Sequence, residues 1–431
     1  MTSWQPTAAL GRALGLGGLG TAIAVLFGEP VIMVLTAPFL LLGALGLVHR
    51  PRSSPRAATA LDHTLLHEGQ GTTVRLHVDD LAGVEQVTRV ATPVRHVALH
   101  PADGRTGRLV GADRQLPVIE ASPRRFGRRL LGQEAVALSS PWAGYRWGPV
   151  TLVGHHLSAL PVRAPFASRA EAPQPLGLVG AHRSRRPGDG TELASIRPFQ
   201  SGDRLRRIHW RVTLRSGSLH VVSTRGEEDT AVLLVVDALA DHGRSGGVDG
   251  AASSLDVTVR AAAAIAQHHV RSGDRVGLRV VGPGAESAGY GTGQRHLQQL
   301  LGRLAGVRVG TPRDLAADQL QLRVTAGTVV VVLSPMLSEA LAAVTATLVR
   351  RGLPVLVVDT LPEDAAPAVS EGTDPGIAAI AWRMRRIERR SVLESLAALG
   401  CPVVPWRGPG TLDEVLRRLA RRAQLPQVGA R

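Results

Sequence analysis

The chain of 431 residues contains no lysine and no asparagine, so all 50 of its basic residues are arginines. Both missing residues have AT-rich codons, and a GC-rich genome accounts for their loss. Without lysine there is no Walker-type phosphate lysine, no Schiff base and no serine–lysine dyad. Without asparagine there is no N-glycosylation acceptor and no Cys-His-Asn site. The single cysteine, Cys401, excludes an intramolecular disulfide framework and fits a reducing compartment. It sits in the strand-like "CPVVPW" and reads as a small core residue. Aromatics make up only 3% of the chain, so its cores must be built from alanine, valine and leucine.

What the chain does have is positive charge. A formal net charge of +15 suits nucleic acid, an anionic membrane face or an acidic partner. Nucleic-acid binders present stacking aromatics or a reading helix; neither is found, and that partner is not expected.

Residues 1–50 read as a membrane hairpin. "ALGLGGLGTAIAVLFG" (Ala13–Gly28), with the turns before it, and "VIMVLTAPFLLLGALGLV" (Val31–Val48) are each long enough for a hydrocarbon core of ~30 Å, with Glu29-Pro30 as the break between them. Arg50, Arg52 and Arg56 follow the second span, whereas the connecting turn carries only Glu29. The positive-inside rule therefore places both ends and the soluble body in the cytoplasm, anchored to the cell membrane by two spans. The extreme N-terminus has no basic region and a second span follows, which argues against a signal peptide. The glycines of "GLGGLG" mimic a dinucleotide fingerprint, but no strand precedes them and they lie inside a span. Gly11 and Gly15, four apart, suggest the close packing of the two helices.

Residues 51–165 carry short β-branched stretches, "TTVRLHV", "VEQVTRVAT", "HVALHP" and "EAVALSS", with no amphipathic helix between them, which predicts a β-sandwich. "GYRWGPVTL" reads as a hairpin turn leading into a strand, with Tyr145 and Trp147 as local packing. His63 and His67 lie in strand-like alternation, and the pairs His155-His156 and His268-His269 cannot turn both rings to one face, so no zinc set is expected. From residue 230 to 425 strands alternate with helices, beginning with the wholly apolar "TAVLLVVDAL" and ending with a helix in "TLDEVLRRLARR". That alternation implies an α/β, doubly wound parallel sheet. Ligands bind such sheets at the carboxyl ends of the strands, which singles out Asp237, Ser334 and Asp359.

Between these regions, residues 166–229 form an arginine-rich linking segment containing "RPFQSGDRLRRIHWRVTLRSG" (Arg197–Gly217). With the hairpin, the sandwich and the α/β region around it, this stretch resembles the signature of the bacterial domain-of-unknown-function 58 family, approximately R-x-Y/F-x-x-G-D-x-x-R-x-I-D-W-x-x-S/T-A-R. Arg197, Phe199, Gly202, Asp203, Arg207, Ile208, Trp210, Thr213 and Arg215 match it, while His209 replaces an aspartate and Leu214 a small residue. The resemblance implies a von Willebrand factor A-like domain acting as a protein-interaction module beside a MoxR-type AAA+ ATPase.

An A-domain metal site uses Asp-x-Ser-x-Ser after the first strand, a threonine from another loop and an aspartate after the fourth strand, so that hard oxygens close an octahedron around Mg²⁺. Here "DALAD" keeps Asp237, loses both serines and places Asp241 last, with Thr292 as the candidate threonine and Ser334 in place of the aspartate. The expectation is a degenerate site without cofactor. In the signature segment, Asp203 among Arg204, Arg207 and Arg215 suits a clasp of paired hydrogen bonds, with Gly202 and Gly217 in turns and Trp210 laid over the start of the sheet beneath a stacked arginine. Asp203 and His209 as an acid/base pair beside Thr213 is the catalytic alternative, but no nucleophile elbow, phosphate loop or metal cluster accompanies it. The sequence thus predicts a membrane-anchored, non-catalytic scaffold or adaptor for an AAA+ ATPase and an unknown client. The alternatives are a metal-dependent ligand-binding A-domain and an arginine-rich protein gripping anionic lipid or nucleic acid.

Overall fold

The computed structural model describes residues 3–111, 113–162, 182–200, 205, 208–228, 231–282, 287–310, 322, 324, 328–366, 372, 374–411 and 413–415. The chain divides into two compact units, one of Met1–Val162 with Gly246–Asp249, the other of Arg163–Ser245 with Gly250–Arg431.

The first unit starts with a short strand, β1 (Gln5–Pro6), and two antiparallel helices, α1 (Ala8–Phe27) and α2 (Pro30–Val48). Thr7 caps α1 by accepting from Leu10 N at 3.2 Å. Gly28 ends it at φ +68°, and Pro30 opens α2 where the lost N–H has no helical partner. At 20 and 19 residues both helices are long and apolar enough to cross a membrane. Gly11 and Gly15 do not make the helix contact: a Cβ on either would meet nothing within 4 Å. The close approach uses Gly17, against Leu40, and Gly20, against Thr36, with Gly43 facing Leu14 from α2. The small-residue rule holds, but the face is rotated from Gly11 and Gly15 because the helices cross where Gly20 admits the Thr36 methyl.

The root of this hairpin is built into the β-structure. Thr7 N donates to Gly144 O at 3.0 Å, Trp4 Nε1 donates to Ser53 O at 2.7 Å, and a Cβ on Gly144 would stand 3.0 Å from Gly46 Cα. Arg50, just past α2, lies over the Tyr145 ring at 5.8 Å.

Eleven further strands follow: β2 (Ala57–Leu61), β3 (Leu65–His67), β4 (Thr72–Val78), β5 (Gln86–Ala91), β6 (Val97–His100), β7 (Arg105–Leu109), β8 (Ile119–Pro123), β9 (Gly127–Leu130), β10 (Glu134–Ser139), β11 (Tyr145–Leu152) and β12 (His156–Leu160). They form sheets ordered β1-β11-β10-β5-β7, β2-β4-β8-β6 and β3-β12-β9. One core joins Leu76 of β4 to Val87, Val136, Leu138 and Trp147; a second joins Val74 and Ala121 to Leu66, Leu131 and Leu157. The four-stranded sheet therefore supplies apolar side chains to both. β11 begins at Tyr145 itself, and Tyr145 and Trp147 are both buried, as packing residues should be.

Three buried charged side chains, Arg89, Glu134 and Glu68, interrupt this apolar interior. Period-two alternation on β5 turns Val87, Arg89 and Ala91 inward together. Arg89 Nε donates to Glu134 Oε2 at 2.8 Å, Nη1 donates to Val74 O at 2.7 Å, and Nη2 stands 2.7 Å from Glu134 Oε2. Glu68 accepts from Phe126 N and Val162 N, both at 2.9 Å. In Gly246–Asp249, Val248 N donates to Arg124 O at 2.7 Å and Asp249 pairs with the Arg124 guanidinium.

The second unit contains a long antiparallel ribbon, β13 (His182–Pro198) with β14 (His220–Glu228), interrupted by the short helix α3 (Trp210–Ser216). The segment between the two predicted domains is thus partly sheet. A six-stranded sheet follows, built from β15 (Ala231–Asp237), β16 (Arg275–Val281), β17 (Ala288–Gly291), β18 (Thr328–Ser334), β19 (Val355–Asp359) and β20 (Val403–Pro405). Its order is β17-β16-β15-β18-β19-β20, parallel except at the β17 edge. Four helices accompany it: α4 (Ser254–Arg271), α5 (Gly293–Ala305), α6 (Glu339–Arg350) and α7 (Pro375–Ala398). Ser253 and Asp256 close a capping box that fixes the start of α4. Leu233, Val235, Val330, Val332, Val355 and Val357 face α6 and the end of α7 in one core, while α4 packs on β15, β16 and β18. Cys401 is buried in the first of these cores. Residues 413–415 are helical, and the remainder of the helix expected to Arg422 lies outside the described residues.

Candidate functional site

Of the signature residues, Gly202, Asp203 and Arg207 lie outside the described residues, as does Arg204; Arg197, Trp210 and Arg215 lie within them. Arg197 closes β13 opposite Val221, and Phe199 N donates to Leu219 O at 2.8 Å. The chain then turns into α3, whose first N–H groups need an acceptor. His209 supplies it: its Nδ1 accepts from Val212 N at 3.2 Å, and its own N–H donates to His220 O at 2.8 Å. At the far end Gly217 adopts φ +68° and donates to Thr213 O, while Thr213 Oγ1 accepts from His220 N at 3.0 Å.

The His209 departure from the signature is thereby explained as one helix cap in place of another. Thr213 serves the turn. His209→Ala is expected to cost about 1 kcal/mol of stability, and His209→Asp to restore or exceed the parent by adding an anion at the helix N-terminus. Thermal unfolding of the two variants beside the parent checks this; equal midpoints would remove the capping role.

The clasp expected around Trp210 would draw on Asp203, Arg204 and Arg207, which lie outside the described residues. Trp210 is 62% exposed and Leu214, one turn later, 82% exposed. Among the described residues the arginine–aromatic stacks are those of Arg50 on Tyr145 and Arg125 on Phe126. The cause is helical phase. Val212 and Thr213 occupy the inner side of the two-turn helix, so Trp210, Arg211, Leu214 and Arg215 point outward together.

The second candidate is the carboxyl edge of the sheet. The strand order reverses about β15, so the crevice of a doubly wound sheet falls beside the ends of β15 and β18. The structure brings Asp237 and Ser334 together there: Ser334 Oγ donates to Asp237 Oδ2 at 2.6 Å, and Leu239 N donates to Oδ1 at 3.0 Å. Burial pushes the Asp237 carboxyl above the ordinary carboxylate range, against the opposing pull of these two bonds. Asp241 accepts from Leu255 N at 3.0 Å, within the first turn of α4. Thr292 precedes α5 beyond β17, two strands from β15.

These residues do not fit a Mg²⁺ centre. Leu239 offers no oxygen, Asp241 accepts from the start of α4, and both Asp237 oxygens already accept from Leu239 N and Ser334 Oγ.

The same edge is closed by α7. Arg389 Nε donates to Pro335 O at 2.6 Å and its guanidinium pairs with Asp359; Arg385 Nη2 donates to Leu337 O at 3.0 Å. His242 lies 5.5 Å from the Trp382 ring, and burial lowers its imidazole pKa, with Asp241 opposing and Arg385 assisting. The edge is thus held by the chain's own cations and hydroxyls. Sequence reasoning missed Arg385, Arg389 and Trp382, which it placed only within a helix; their spacings of three and four residues are the signal for one shared face.

Comparison with known proteins agrees with the segment singled out by sequence. An uncharacterized protein of Mycobacterium bovis and one of Mycobacterium tuberculosis are each 32% identical over 131 residues, 30% of this chain. The match covers 40% of the length of these relatives. Residues 195–374, from the end of β13 to the start of α7, match the family model described as "Protein of unknown function DUF58".

Proposed function

We propose that the protein is a non-catalytic interaction scaffold or adaptor, anchored in the cell membrane by α1 and α2, with both ends and both units in the cytoplasm. Its α/β unit is a von Willebrand factor A-like domain, and its partner is a MoxR-type AAA+ ATPase acting on a client protein. The observation that carries this reading is the outward pair Trp210 and Leu214 flanked by exposed Arg211 and Arg215. Tryptophan and arginine are among the residues most enriched where protein interfaces concentrate their energy, and Trp210 is 62% exposed. Two further features support it. Asp237 and Asp241 are committed to internal hydrogen bonds, and Arg50, Arg52 and Arg56 follow α2 while Glu29 lies in the turn.

The test is affinity purification from native membranes with and without ATP, comparing the parent with Trp210→Ala/Leu214→Ser. The expected result is a specific ATPase whose recovery falls about thirtyfold in the variant, a loss of about 2 kcal/mol, with the thermal midpoint unchanged. Equal recovery by the variant would place the binding surface elsewhere. Recovery of polyanions alone, washed away by salt, would sink the adaptor reading.

A further inference from the structure

Helix α7 has two faces. Trp382, Arg385, Arg389 and Leu396 turn inward, to His242, to the carbonyls of Leu337 and Pro335, and to the apolar core. On the opposite side Ile377, Ile380, Met384 and Ile387 follow at spacings of three, four and three, each between 58% and 65% exposed. At about 100° per residue they form one stripe, bordered along one side by the exposed Arg383, Arg386 and Arg390. Three isoleucines and a methionine in water are not explained by the fold, because the inner face already holds α7 in place.

We infer that this stripe lies on an anionic lipid surface, with the isoleucines and Met384 in the acyl boundary and the three arginines at the headgroups. The charge pattern selects this occupant. Glu388 lies on the other border of the stripe; an antiparallel second copy of α7 would bring like arginine borders together, and the chain beyond Val415, "LRRLARRAQLPQVGAR", is itself basic and would be repelled by the arginine side. A basic border beside an aliphatic stripe matches an interfacial amphipathic helix on acidic phospholipid. The attachment is weak taken singly. It rests in part on the proposed hairpin anchor, which raises the effective concentration of α7 at the bilayer.

The experiment uses the full chain carrying Cys401→Ser, so that Met384→Cys bears a single environment-sensitive fluorophore, with Thr347→Cys on α6 as the exposed control. The chain is reconstituted in nanodiscs of phosphatidylglycerol or of phosphatidylcholine, and separately mixed with liposomes of each lipid. The inference expects a blue shift and quenching by lipid-borne nitroxide at position 384 only, with phosphatidylglycerol only. Both are lost in high salt and in Arg383→Gln/Arg386→Gln/Arg390→Gln. Aqueous emission at 384 in every lipid overturns it. So does a blue shift that is the same in detergent and in both lipids, which means that protein covers the stripe. Release of the chain from membranes by alkaline wash reports failure of the hairpin anchor independently, because the liposome arm reads α7 without it.

Discussion

Glu134→Ala is expected to cost about 3–5 kcal/mol, enough to abolish folding of the first unit or leave it marginal. Arg89 has no exposed surface, and its charge is balanced by Glu134 on the neighbouring strand and by the carbonyls of Val74 and Pro117. Removing the carboxylate leaves a guanidinium in the core with only neutral acceptors. The replacement Arg89→Met/Glu134→Leu removes both ions at similar volume and is expected to be far milder, because no charge remains to be desolvated. Denaturant unfolding of the parent, the single variant and the double variant, with hydrogen exchange read in β5 and β10, separates the outcomes. If the single variant were no worse than the double, the pair would be a passive passenger of the strand pattern.

Acidification is expected to destabilise the second unit through His268 between about pH 6.5 and about pH 4. His268, near the end of α4, has its imidazole pushed down to about 4 from 6.5 by burial and by the neighbouring His269, with Asp274 and Asp413 pulling the other way. The unfolded chain therefore takes up this proton near pH 6.5, whereas the folded chain resists until about pH 4. Stability is whole above that window and is lost as pH falls through it. The shift sets a ceiling of roughly 3 kcal/mol, and the solvent contact the ring retains reduces the expected loss to about 1–2 kcal/mol. His268→Gln should flatten the profile between the two values. A variant with the parent's slope there would assign the acid sensitivity to other groups.

The strands that read most plainly from sequence were those where one physical demand dominates. "AVLLVVD" and "TVVVVLS" are apolar throughout because both faces of a central parallel strand are covered, and they form β15 and β18. Alternation located β4, β5 and β10 for the same kind of reason. It did not reveal that Arg89 belongs to the inner face, since that depends on a carboxylate 45 residues away. The strand β13 was hidden by its own composition, because "HRSRRPGDGTELASIRP" carries proline and glycine that signal turns, and its pairing with β14 shifts register accordingly. The signature stretch reads as a clasp between turns, and neither α3 nor the β13–β14 ribbon was expected there, because its arginines, glycines and proline mask both periodicities. The outward phase of Trp210 followed only from which side of a seven-residue helix its neighbours occupy. The hairpin contact needed a three-dimensional crossing point, which glycine spacing in one helix does not define.

That crossing has a mechanical side. With Gly46 against Gly144, β1 paired to β11, and Thr7 bonded to the same turn, the hairpin joins its β-body without a slack leash. A pull on α1 is carried to β11 through β1 and Thr7, and a twist of the helix pair is passed to the five-stranded sheet as torque. The root behaves as a stiff axle, so tilting of the helix pair becomes rotation of the β-body attached to it.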